Sequence, residues 1–180
     1  MHISNTSIPG CYNMFPIRHD DDRGYLIKTF NEYEYKSFNL KTDFVEEYFS
    51  FSYYKVLRGL HFQHPPREHD KTVCCILGEV IDALVDLRVG SPCYGQFETF
   101  NLSSKAGNVL YIPAGVAHGF YVLSSNAIML YNTTSLYSPE HDTGIRWNSL
   151  GIPWPDNNPI VSERDNTFVM FNDYDSPFIF

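Results

Sequence analysis

Apolar residues along this chain recur mostly at every second position or in short unbroken runs punctuated by Gly and Pro, the pattern of strands rather than helices. The stretch from Phe44 to Ser52 alternates in its second half. Thr72 to Leu77 is a continuous apolar run suited to a buried strand; Gly78 breaks it, and Val80 to Leu87 resumes. Arg88 to Cys93, with Gly90 and Pro92, reads as a turn. Tyr94 to Leu102 alternates again, and Val109 to Ile112, Gly119 to Leu123 and Ile128 to Thr133 complete the strands. One helix is expected near Asn31 to Phe38, where Asn31 would cap the first turn and Glu32 and Glu34 suit the helix dipole. Many short strands predict an all-β double-sheet jelly roll rather than an α/β fold. The last forty residues hold Pro139, Pro153, Pro155, Pro159 and Pro177 and are expected to wrap the barrel as an extended segment of ordered loops.

Composition narrows the function. The 180 residues carry no linker or repeat and read as a single domain spanning 1–180, large enough to bury a core. A formal net charge of −8 argues against a nucleic-acid partner, which would need a basic face; a small anion would need a local basic pocket. Thirteen Tyr and fourteen Phe suit a β-rich core and an aromatic ligand site. Cys11, Cys74, Cys75 and Cys93 lack zinc spacing, and the adjacent pair in an apolar run reads as buried thiols. With no signal peptide and no long apolar stretch, the expected setting is the reducing cytoplasm, with no membrane partner.

The candidate chemistry concentrates in Arg58-Gly59-Leu60-His61-Phe62-Gln63-His64, in Lys71, and in Pro113-Ala114-Gly115-Val116-Ala117-His118. A guanidinium, an imidazole and an ammonium close together suit holding a phosphate, taking a proton and stabilising an oxyanion. Strand alternation would put Arg58, Leu60 and Phe62 on one face and Gly59, His61 and Gln63 on the other. On spacing alone, a half-buried structural histidine and a solvated strand end are the simpler readings of His61 and Lys71. Asp82, inside an apolar run, is costly to bury unless paired, so it is expected beside an interior cation, with Lys71 one candidate. His61, His64, His69 and His118 also raise a metal reading. Pro113-x-Gly115-x-x-His118 fits the second motif of metal-binding cupins, but His61 and His64 are three apart and cannot share a strand face.

Taken together, the segments resemble the dTDP-4-dehydrorhamnose 3,5-epimerase family almost end to end. The resemblance rests on Ile8-Pro9-Gly10, Asp22-Arg23-Gly24, Val56-Leu57-Arg58-Gly59-Leu60-His61-Phe62-Gln63, Gly78-Glu79-Val80 and Val85-Asp86-Leu87-Arg88. It continues through Ile112-Pro113-Ala114-Gly115, Ala117-His118-Gly119-Phe120, Tyr131-x-Thr133-Thr134, Tyr137-Ser138-Pro139-Glu140, Ile145-Arg146-Trp147 and Ser162-Glu163-x-Asp165. It implies a cupin-type jelly roll with no catalytic metal and no cofactor, a homodimer exchanging N-terminal strands, and a nucleotide-linked 4-keto-6-deoxyhexose as substrate. The implied reaction inverts C5, C3 or both by removing a proton α to the C4 ketone on one face and returning one on the other. By position, the resemblance implies His61 as base, oriented by Asp165, and Lys71 at the enolate oxygen with Asp82 nearby. Tyr131 would be the acid and Tyr137 a second phenol. Arg58, with Arg23 of the partner subunit, would hold the diphosphate; His118 would line the sugar pocket, and Ser50 and Gln63 would join the substrate contacts.

The departures from the family pattern fall at positions that the resemblance places around the nucleotide, whereas the positions it implies for proton transfer are kept. Leu26 and Lys28 stand where an aromatic and a Glu are usual, Glu46-x-Tyr48 stands where Gln-x-Asn precedes the Ser, and Leu136-Tyr137 replaces a Tyr pair. Lys28 has a chemical reading of its own. Thymine N3 bears a proton and suits a carboxylate, whereas cytosine N3 is a bare acceptor and suits an ammonium, which keeps a CDP-linked substrate open beside dTDP. The rival classes are a metal-dependent cupin oxygenase or isomerase and an inactive sugar-binding cupin.

Overall fold

The computed structural model describes residues 1–180. Four short strands open the chain: β1 (His2–Asn5), β2 (Tyr12–Phe15), β3 (Arg18–Asp21) and β4 (Gly24–Ile27), the last two forming a separate hairpin. Helix α1 (Glu32–Ser37) follows. Asn31 caps it as the sequence predicts, its side chain accepting from the backbone N–H groups of Tyr33 and Glu34. The body is β5 (Glu46–Tyr53), β6 (Leu57–Gln63), β7 (Lys71–Leu77), β8 (Glu79–Asp86), β9 (Phe97–Ser103), β10 (Val109–Ile112), β11 (Val116–Val122), β12 (Asn126–Thr133) and β13 (Asp142–Gly144). Helix α2 (Glu163–Thr167) and a 3-10 turn at Phe171–Asp173 punctuate the tail. β9 starts at Phe97 rather than Tyr94, because Gly95 takes a positive φ of 72° in the preceding turn.

Two antiparallel sheets face each other, one of order β1-β2-β10-β7-β12-β5 and one of order β13-β6-β11-β8-β9. This is the all-β double-sheet jelly roll expected from the strand punctuation. Val73, Cys75, Leu84, Phe120, Met129 and their neighbours fill the space between the sheets. The outer face of the five-stranded sheet is covered by the tail, through Leu57, Leu60, Phe62, Val85, Tyr121, Trp154 and Phe178. Helix α1 covers part of the other outer face, with Tyr35 over Met14, Cys74 and Val109. Strands covered on both faces need apolar side chains at every position, which explains the unbroken runs in β7 and β8. The tail wraps as expected, held by parallel bridges Val56↔Ile160, Ile145↔Val169 and Val89↔Ile179. It is not all loop, however: β13 adds to the sheet edge, and Ser162 caps α2 by accepting from Asp165 N–H.

One irregularity sets the site. In the pairing of β11 with β6, His118 opposes His61 and Phe120 opposes Arg58, so β6 carries one extra residue. This bulge corrects the simple alternation expected for β6. Leu57, Leu60 and Phe62 pack outward, while both Arg58 and His61 line the space between the sheets. Glycine is required there, since a Cβ on Gly59 would sit 2.5 Å from Gly119 Cα.

Candidate active site

The inner faces of six strands converge on one cleft at the end of the barrel. A larger lobe of about 340 Å3 is lined by Glu46, Gln63, His69, Thr133, Tyr137 and Asp142. A smaller lobe of about 190 Å3 is lined by Ser50, Arg58, His118, Phe120 and Tyr131. Tyr48, His61 and Lys71 line both, so they sit where the lobes meet. Period-2 alternation is what aims Glu46, Tyr48 and Ser50 of β5 and Tyr131 and Thr133 of β12 to one side.

His61 Nε2 bonds Asp165 Oδ1 at 2.8 Å. Asp165 is buried, and its other oxygen accepts from the Gly59 N–H at 3.1 Å. Burial alone would raise the Asp165 carboxyl, but bonds from His61, Gly59 and Ser162 outweigh it and hold the group below the ordinary carboxylate range. An ionised Asp165 fixes the tautomer with the proton on His61 Nε2, which leaves Nδ1 as the free lone pair. Phe168 stands edge-on to the imidazole at 5.8 Å.

Lys71 is buried, and its Nζ donates to the His61 carbonyl at 3.3 Å. Burial pushes its ammonium down to about 8, with Asp82 and Asp142 pulling the other way. Asp82 is fully buried, but its hydrogen-bond partner is His118 Nε2 at 2.7 Å, not Lys71 as the sequence suggested. Both lie on inner faces of neighbouring strands, where β8 and β11 put Asp82 opposite Phe120, one inward position from His118. Lys71 acts on Asp82 only through space. Burial raises Asp82 and lowers His118, so the pair tends toward neutrality.

Tyr131 projects from the sheet opposite His61. Its hydroxyl lies 3.3 Å from Ser50 Oγ, and burial drives its phenol far above the ordinary range, so it is held protonated. The Ser50 hydroxyl and Arg58 partly offset that shift. Tyr48, directly opposite Tyr131 in register, stacks on it with centroids 4.6 Å apart and planes 12° apart.

The remaining candidates divide. Arg58 bonds Ser52 Oγ at 2.9 Å and the Phe51 carbonyl at 3.2 Å, which aims its guanidinium along the smaller lobe. Tyr137 is exposed at the rim, and its backbone N–H donates to Glu46 Oε2 at 2.9 Å. Gln63 is occupied at both ends: Oε1 accepts from Ser138 N–H at 2.6 Å, and Nε2 donates to the Arg67 carbonyl at 2.8 Å. It therefore organises the surrounding loops rather than offering a free group to a ligand. Arg23 is exposed in the β3–β4 hairpin and paired with Asp21 at 2.6 Å. Lys28 borders a separate surface depression with Ile17, His19, Asn31 and Glu34. Neither reaches the cleft of its own chain.

The four histidines do not converge on a metal. His61 is taken by Asp165, His118 by Asp82, His64 by Tyr174 Oη at 3.0 Å, and His69 meets Gln63 at 3.2 Å. No group of three His, Cys, Asp or Glu side chains has metal-holding geometry. Asp142, His69 and Thr133 belong to the cleft without having been singled out as contacts. Asp142 comes from a polar loop stretch with no periodic signal, and only the pairing of β13 with β6 brings it opposite Gln63. Burial lowers His69 to about 3, so it enters the larger lobe neutral.

A carboxylate-oriented imidazole and a protonated phenol thus face one cleft from opposing sheets, with an ammonium between the lobes. That arrangement suits moving protons on opposite faces of a carbon beside a carbonyl. A family model described as dTDP-4-dehydrorhamnose 3,5-epimerase matches residues 5–173. The chain is 39% identical to the dTDP-4-dehydrorhamnose 3,5-epimerase of Shigella flexneri over 97% of its length and 98% of the relative's. Among solved structures, it is similar to dTDP-6-deoxy-D-glucose-3,5-epimerase from Legionella pneumophila Philadelphia 1 in complex with dTDP-4-keto-L-rhamnose. The TM-score is 0.92 and the identity 36%, covering 97% of this chain and 94% of that one. It is likewise similar to the Bacillus anthracis dTDP-4-dehydrorhamnose 3,5-epimerase with TDP and PPi bound, with a TM-score of 0.91, 32% identity and coverage of 94% and 98%.

Proposed function

The chain belongs to the dTDP-4-dehydrorhamnose 3,5-epimerase family, a family of carbohydrate epimerases, and from that premise we propose how its own residues divide the reaction. The substrate is a nucleoside-diphosphate 4-keto-6-deoxyhexose. His61 Nδ1 takes the proton from the carbon α to the C4 ketone. The C–H electrons form the ring C=C bond, and the carbonyl oxygen becomes an enolate beside Lys71 Nζ. Tyr131 then gives its phenolic proton to the same carbon from the other face. Solvent restores the phenol and removes the proton from His61, so nothing is consumed. The observation that carries this reading is the placement of the Asp165-anchored imidazole and the buried phenol on opposing sheets of one cleft.

Incubation in D2O with dTDP- and CDP-linked 4-keto-6-deoxyglucose tests it. Deuterium is expected at C5, at C3 or at both, and the NMR pattern says which. No deuterium from either substrate would end the reading. The nucleotide is proposed to be thymidine diphosphate, since relatives with bound ligand carry dTDP-4-keto-L-rhamnose or TDP. Lys28 supports cytosine only if it reaches a neighbouring subunit's cleft, because it lies outside its own. Calorimetric titration of dTDP, CDP, UDP and GDP is expected to rank dTDP first; CDP binding as tightly would restore the cytosine reading.

We also propose that the whole chain acts as one epimerase domain and that it works as a homodimer in the cytoplasm. Strand β5 is a sheet edge, and Phe49, Phe51 and Tyr53 point outward from it at 67%, 43% and 69% exposure. An apolar face of this kind suits a second copy, and a second copy would let Arg23 of the partner subunit approach the diphosphate end of the cleft. The free cysteines fit a reducing compartment, and no helix is long and apolar enough to cross a membrane. Sedimentation velocity at micromolar concentration should give twice the chain mass of 20.8 kDa. A monomer with full activity would refute the shared site.

A further inference from the structure

Tyr48 stands where the sequence departs from the pattern it otherwise resembles, and it makes the closest aromatic contact in the cleft. It is the cross-strand partner of Tyr131, and the two rings lie almost parallel, with centroids 4.6 Å apart and planes 12° apart. Cross-strand register brings the two rings face to face, at a separation that stacked aromatic pairs favour. The Tyr131 hydroxyl has a single hydrogen-bond partner, Ser50 Oγ at 3.3 Å, and His118 meets the ring edge-on at 6.2 Å. Tyr131 is only 7% exposed, whereas Tyr48 is 45% exposed. The open face of the stack is therefore Tyr48, and it borders His61 and Lys71 in both lobes.

Resting on the epimerase reading, we propose that Tyr48 is a positioning residue for the second proton transfer. Its flat ring fixes the tilt of Tyr131, so that the phenolic O–H is held toward the enolate carbon. No chemical step passes through Tyr48 itself. The enolate has two fates: a proton returned by His61 regenerates the substrate, and a proton delivered by Tyr131 gives the inverted sugar. Tyr48 acts on the second fate alone.

The experiment reads those two fates. In D2O, return on the His61 face leaves deuterium in uninverted sugar, whereas delivery from Tyr131 leaves deuterium in inverted sugar. Tyr48→Leu keeps an apolar side chain but removes the flat ring; Tyr48→Phe keeps the ring and removes the hydroxyl. Tyr48→Leu is expected to lower the ratio of inverted to uninverted deuterated sugar by about tenfold, within the range a misplaced catalytic group produces. Tyr48→Phe should keep the wild-type ratio. In a Tyr131→Phe background, Tyr48→Leu should change the ratio no further, because the group it positions is gone. An unchanged ratio in Tyr48→Leu, with only KM altered, would assign Tyr48 to binding and overturn the proposal. An equal fall in Tyr48→Phe would overturn it too, by implicating the hydroxyl. If Tyr48→Leu does not fold, Tyr48→Trp, which restores a flat ring, must hold the ratio near wild type while Tyr48→Val lowers it. Wild-type enzyme that washes no deuterium into any nucleotide-linked 4-keto sugar would instead remove the epimerase reading, and the proposal with it.

Discussion

Replacing His61 by Asn is expected to stop solvent deuterium from entering the carbon α to the ketone while leaving nucleotide affinity nearly unchanged. Removal of a general base typically lowers rate by about 10²–10⁴-fold. The loss should sit at the upper part of that range: Lys71 beside it is charged at neutral pH, His118 is engaged by Asp82, and burial holds His69 neutral and hydrogen-bonded to Gln63. Gln in place of His61 is the control for Asp165: its amide ends where Nε2 lies and can still donate to that buried carboxylate, whereas Asn ends at the Nδ1 position and leaves it without the bond from the ring. Isotope incorporation measured by NMR, together with calorimetric titration of dTDP, separates chemistry from binding. Exchange near the wild-type rate in this variant would exclude His61 as the base.

The second large effect is expected at Lys71. Substitution by Met keeps the length and apolar stem of a buried side chain and deletes the ammonium. Loss of one preorganised donor at a developing oxyanion costs about 10²–10³-fold in kcat. The same residue predicts the alkaline limb of the pH profile. Burial lowers the Lys71 ammonium to about 8, so it is charged at neutral pH and loses its proton as the pH rises through that value. Wild-type kcat/KM should therefore fall above about pH 8, since this ratio reports groups of the free enzyme. Lys71→Arg stays charged throughout and should lack this limb, even with a lower plateau. An identical alkaline limb in Lys71→Arg would assign the titration to another group.

Much of this molecule was legible in its residues because local chemistry wrote it. The alternation in β5, the unbroken apolar runs of β7 and β8, the Asn31 cap and the Gly and Pro punctuation are short-range features, each recorded within a few residues. The groups proposed for proton transfer came from resemblance rather than spacing. His61 and Asp165 are more than a hundred positions apart, and nothing in either segment announces the bond between them.

What only the tertiary structure decided has one physical cause: contacts across sheets depend on register, and register is set by distant segments. The bulge at Gly59 turns Arg58 to the His61 side, and it requires a glycine because Gly119 lies against it on the neighbouring strand. Asp82 pairs with His118 rather than Lys71 because β8 and β11 are neighbours in the sheet, whereas β7 lies in the opposite one. Gln63 spends both ends of its amide on loops that fold back over it, a use that its sequence neighbours do not reveal. Tyr48 acquires its meaning only from the ring laid beside it by pairing of β5 with β12. The sequence by itself determined the elements, the class of fold and the kind of chemistry. The packing of one sheet on the other decided which side chains meet, because a buried polar group takes whichever partner the register brings within reach.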